Sequence, residues 1–279
     1  MGAGTVARLT VVVAVCLMAI PGVALAASGT WTLDGSALWD DAVTAPWSGG
    51  IVADGAGNTA DFSTIDITAD VSVSLNAPRT IGTIIFGDTD PTTTPAGWTL
   101  DNHGTPANIL TLSGITVNAL GAGKTATISA DVALAGGTDV VNVAAGSSLT
   151  LAGGIDTAGG SATLQKTGAG VLTITGQYSS DGNGAQINVN EGTLRLTSNS
   201  VYADGIYASW NAANDVNIVA NNSTIDCGGG AFELGTVNLA TAAFDMHGGS
   251  LTLRSELGMG RGIFGGNQSI VTLDNDAVI

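Results

Sequence analysis

Five short segments of this chain carry the same core. NILTLSG (108–114), SSLTLAG (147–153), GVLTITG (170–176), GTLRLTS (192–198) and GSLTLRS (249–255) each set Leu-x-Leu or Leu-x-Ile between turn-forming residues. Their first leucines, Leu110, Leu149, Leu172, Leu194 and Leu251, follow one another at spacings of 39, 23, 22 and 57 residues. A step of 22 or 23 residues suits one coil of a solenoid, and the longer steps can each hold two or more coils. Strand alternation then places Leu194 and Leu196 inward, with Thr193, Arg195 and Thr197 outward. By the same rule Leu251 and Leu253 face in, and Thr252 and Arg254 face out.

A second strand precedes two of these segments at a fixed offset. Ile187 and Val189 lead into Gly192-Thr193-Leu194, as Phe244 and Met246 lead into Gly249-Ser250-Leu251. The glycine two positions before each leucine predicts a corner with positive φ and close coil packing. Helices are not expected in the mature part. The chain has 41 glycines, Lys, Glu and Gln are scarce, and apolar residues recur mainly at period two. Only 11% of residues are charged. In a parallel solenoid equivalent positions stack about 4.7–4.9 Å apart, so like charges repel along the stack while Thr, Ser and Asn can bond along it. A polar but weakly charged composition is what that geometry demands.

The segment LQKTGAGVLTITGQYSSDGNGAQINVNEGTLRLTS, residues 164–198, resembles the autotransporter-associated β-strand repeat, also called the passenger-associated transport repeat, of secreted bacterial proteins. The marks that carry the resemblance are Leu164, Lys166, Gly168 and Gly170, then Leu172, Ile174, Gly176 and Tyr178, then Gly192, Thr193 and Leu194. It covers about 35 residues well and the other coils only by their Leu-x-Leu cores. The resemblance implies a right-handed parallel β-helix and export as a passenger, and says almost nothing of biochemical activity. The turn Asp181-Gly182-Asn183-Gly184 is longer than the family's usual one, which predicts a small protrusion.

The N-terminus reads as a leader. Arg8 is followed by a nearly unbroken apolar run from Leu9 to Ile20, then Pro21-Gly22 and the small-residue site Ala24-Leu25-Ala26. Residues 1–26 are therefore expected to be a signal peptide cleaved before Ala27, the run being short of the roughly 20 apolar residues of a membrane span. Cys16 lies in that leader, leaving Cys227 without an intramolecular partner in the mature chain. Residues 27–100 differ from the rest. They hold four of the five tryptophans, Trp31, Trp39, Trp47 and Trp98, with Pro46, Pro78, Pro91 and Pro95. A solenoid end is apolar and unpaired and needs cover, so this region is expected to be a β-rich cap ahead of parallel β-helix repeats over 101–279. The alternating run Ile270 to Leu273 and the strand-like Ala277-Val278-Ile279 imply that the solenoid continues toward a translocator or sorting region.

Residues for chemistry are sparse. His103 and His247 are the two histidines, each beside turn-forming glycine, with no orienting partner in the local sequence. Asp181-Gly182-Asn183-Gly184 and Asp274-Asn275-Asp276 offer oxygen donors for calcium, yet Gly192 stands where an EF-hand would need its twelfth-position Glu. Turn chemistry explains both segments more simply. A net charge of −16 argues against nucleic acid and anionic membranes as partners.

The expectation is an all-β parallel β-helix with a non-catalytic role, secreted or at the outer cell surface, with no cofactor and no catalytic or metal site. Adhesion to surface glycans or matrix is compatible with that role. Two rivals remain: a polysaccharide lyase or hydrolase, whose sites want clustered carboxylates, and glycan binding by stacking on Trp31, Trp39 and Trp47. For those tryptophans burial in the core or cap is the stronger expectation.

Overall fold

Period-two alternation produces a parallel β-solenoid. The computed structural model describes residues 26–157, 162–179, 185–197, 200–203, 205–208, 216–226, 232–234, 241–252, 257–259 and 268–274. Among these, 24 strands form one continuous hydrogen-bonded network in which every strand-to-strand ladder is parallel. The chain visits three faces in turn, here sheets A, B and C, which in one coil hold the strands Thr138–Val143, Ser148–Leu151 and Ile155–Asp156. Each inward residue sits directly on its equivalent one coil away.

The interior columns run through successive coils. In sheet B, Trp98, Ala126, Leu149, Leu172, Leu194, Ile218 and Phe244 are stacked in register. In sheet C the column is Leu110, Val132, Ile155, Tyr178, Val201, Ile225 and Leu251. All of these are buried. Full burial of one such aliphatic side chain stabilises by about 1.5–3 kcal/mol, so the columns are the main source of stability. The register read at Leu194 holds: Leu194 and Leu196 are buried, Thr193 is half-buried and Arg195 exposed. Leu253 and Arg254 lie outside the described residues.

One expectation needs correction. Leu149, Leu172 and Leu194 do stack on one another, but Leu110 and Leu251 belong to sheet C, not to their column. The cause is that some strands turn a corner without ending. Leu110–Val117 begins in sheet C and finishes in sheet A, and Thr241–Thr252 runs from sheet B into sheet C. The corner glycines are as expected, with φ of 74° at Gly192 and 88° at Gly249. A Cβ at Gly192 would also stand 2.6 Å from the carbonyl oxygens of Gly168 and Gly170, so both conformation and coil spacing demand glycine there.

The N-terminal segment enters the same sheets. Val73 pairs in register with Leu100, and Leu100 with Ile128. Its first turns fill the end of the stack with aromatic rings. The ring centroids of Trp31, Trp39 and Trp47 lie 5.3–5.6 Å from Phe62, which in turn contacts Phe86 and Trp98 at 5.5 and 5.3 Å. Each indole N–H finds a carbonyl: Trp31 donates to Leu33 at 2.8 Å, Trp39 to Ala53 at 2.9 Å, Trp98 to Gly87 at 2.8 Å, and Trp47 to Trp39. The indoles are thus buried with their N–H groups satisfied.

Candidate functional site

The closed columns leave function to the outer faces and the corners. The tryptophan reading of glycan binding ends here, because Trp31, Trp39 and Trp47 are 0–2% exposed and offer no ring face to a sugar.

Lys166 and Asp139 nevertheless point inward. Lys166 occupies the sheet A column between Val141 and Val189. It is fully buried, and its ammonium donates to the carbonyl oxygens of Thr167 at 2.8 Å, Gly168 at 2.5 Å and Glu191 at 3.1 Å. Burial pushes its pKa down to about 8, partly opposed by the Glu191 carboxylate. Lys166 therefore acts as an internal fastener for the corner between sheets A and B. Asp139 stands in the same sheet, in register with Leu164. It too is fully buried, no hydrogen bond of good geometry reaches its carboxylate oxygens, and burial raises its pKa to about 6, partly opposed by the Gly136 backbone N–H nearby.

The outer surface of sheet B is lined with hydroxyl groups. Ser72, Thr99, Thr127, Thr150 and Thr173 form one outward column in unbroken register. Beside it, Thr125 and Ser148 stand in a second column with Val171 and Thr193. At one edge of this face, Asp70, Gly97, Thr99, Gly123, Lys124, Thr125 and Thr127 line a shallow polar cleft. Asp70 is held there by the Lys124 ammonium at 2.8 Å and the Gly97 N–H at 2.8 Å, and these contacts keep its pKa low.

A second cleft lies on sheet C, where Asp131 and Asp156 occur one coil apart with Gln177, Ser179 and Ile109. Asp131 is occupied in accepting the Gly154 N–H at 2.7 Å. Much of the acidity of the chain is likewise structural. Asp41, Asp61, Asp88 and Asp101 each accept a backbone N–H two residues ahead, at 2.8–3.1 Å, and so staple turns.

The remaining candidates do not converge. His103 sits in a left-handed turn with φ of 52°. His247 is not in a free turn but in the strand Thr241–Thr252, in register with Asn221 and Asp274, one position before the corner glycines. The segment 181–184 and residues 275–276 of the second calcium candidate lie outside the described residues, as do the leader at 1–25 and Cys227. Among the described residues no group of three or more His, Cys, Asp or Glu side chains comes together, and no helix is long and apolar enough to cross a membrane. Sequence reading missed the buried Lys166 and Asp139, although strict alternation with Leu164 and with Val141 would have placed both inward.

The fold and surface define the class as a three-faced parallel β-solenoid. Comparison with protein-family models, with curated proteins and with solved structures returns no match.

Proposed function

We propose that the chain is a non-catalytic structural solenoid, exported by its N-terminal leader and presented outside the cell as a secreted or surface passenger. The observation that carries this reading is the continuous register of the columns. Each coil spends its inward positions on packing and its outward positions on short, mostly uncharged polar side chains, a composition suited to an extended scaffold in water. The leader-like start and the resemblance of residues 164–198 to the autotransporter-associated repeat support the export part. The test is fractionation of a bacterial host producing the full chain. Material outside the cytoplasm is expected to begin at Ala27 and to be cleaved by protease added to intact cells. Protein retaining Met1 and shielded from that protease would overturn the proposal.

A further inference from the structure

We propose that the hydroxyl face of sheet B binds an ordered lattice of water, the surface of an ice crystal. The hydroxyl column is periodic along the stack. Along the stack, Ser72, Thr99, Thr127, Thr150 and Thr173 repeat at the inter-strand distance of about 4.7–4.9 Å, and outward neighbours within a strand lie about 6.6–6.8 Å apart. In a chain of net charge −16, this column bears no charge from Ser72 to Thr173. The hydroxyls of Thr99, Thr127, Thr150 and Thr173 make no side-chain hydrogen bond within the described protein, and so are free for solvent. Threonine is stiff at χ1, which fixes hydroxyl and methyl in place before any ligand arrives.

Water geometry selects the ligand. Two oxygens bonded to one tetrahedral water at an O···O distance of about 2.7–2.8 Å lie about 4.5 Å from each other. That separation is within a few tenths of an ångström of the coil repeat, so a single water can bridge each successive pair of threonines. The resulting row of waters has nearly the second-neighbour spacing of a tetrahedral water network and can be shared with a growing ice face. A glycan is the poorer fit. Stacking on a sugar ring needs an exposed aromatic face, and the column from Ser72 to Thr173 has none, with Trp31, Trp39, Trp47 and Trp98 all inside.

The test uses the purified full chain in a slowly growing ice front and in a recrystallisation assay. The protein is expected to partition into the ice and to arrest grain growth. Thr127→Tyr combined with Thr150→Tyr should lose both effects while the circular dichroism spectrum and melting curve stay unchanged, whereas Gln165→Tyr on sheet A should retain them. Exclusion of the folded wild-type chain from ice would overturn the proposal, as would equal partition by the double variant. Retention on an insoluble polysaccharide without any ice effect would assign the face to a glycan and overturn it too.

Discussion

Lys166 reaches across one coil to Glu191, its ammonium donating to the Glu191 carbonyl oxygen at 3.1 Å while bonding the carbonyls of Thr167 and Gly168. A charge inside an aliphatic column is tolerated because three acceptors meet it there. Lys166→Met keeps the volume but strands those carbonyls, and an unsatisfied buried polar group costs about 1–3 kcal/mol. We expect a loss of that order at pH 7 in urea denaturation. The pH dependence has a definite sign. With a folded pKa of about 8 against 10.5 unfolded, the unfolded chain binds more protons between those values. Stability therefore rises with pH over that window in the wild type relative to Lys166→Met. A parallel pH profile for the two proteins would contradict the internal ammonium.

Asp139 is the opposite case, a buried acid whose desolvation the nearby Gly136 backbone N–H offsets only in part. Its folded pKa of about 6 exceeds the unfolded 3.8, so the folded state binds the extra proton and stability falls as pH rises through about 4 to 6. Leu164, its partner in register, shows that a leucine fits the neighbouring site of the column. Asp139→Leu is expected to stabilise the chain by about 2–3 kcal/mol at pH 7, the equivalent of roughly two pKa units, and by much less at pH 4. Denaturation at the two pH values checks it. A variant less stable than wild type at pH 7 would mean the carboxylate has a partner.

These two residues show where sequence reading stops. Leu149, Leu172 and Leu194 were legible because their coils have nearly equal lengths, 23 and 22 residues. Leu110 and Leu251 carry the same motif on a different face, because a strand can turn a corner at Ser113-Gly114 or Gly248-Gly249 without ending, and its alternation shifts phase there: inward positions pass from Leu112 to Ile115 and from Met246 to Leu251. Motif and face are thus not locked together. The burial of Trp31, Trp39 and Trp47 followed from ring size and position. The threonine column did not, since Thr99 and Thr127 meet across a coil whose length is set by loops that carry no periodic signal.

The register itself is open to a paired test. Leu194→Asp puts an unpaired carboxylate into the sheet B column between Leu172 and Ile218, which costs several kcal/mol. Thr193→Asp changes a half-buried outward position and should stay within about 0.5 kcal/mol. Chemical denaturation of both variants is the measurement, and equal losses would mean that the two side chains do not face opposite ways.

The N-terminal plug has its own latch. The Arg79 guanidinium, only 10% exposed, bonds Asp40 at 2.5 Å and Asp54 at 3.4 Å, and so ties the tryptophan-bearing turns to the first full coils. Asn76 reinforces it by donating to Asp40. Both aspartates are more than a third exposed, so solvent screens the pair and the net contribution is about 1 kcal/mol or less. Global stability should therefore hardly move in Arg79→Met, whereas the plug should open locally more often. Hydrogen exchange resolves the two. The Trp39 indole N–H, bonded to the Ala53 carbonyl at 2.9 Å, is expected to exchange faster in the variant. Raised salt should speed the same exchange in the wild type, because the ion pair is screened. Amides around Leu149, several coils away, should keep their protection. Uniform acceleration along the whole solenoid would show instead that the plug and the coils unfold as one unit, with Arg79 contributing to all of it.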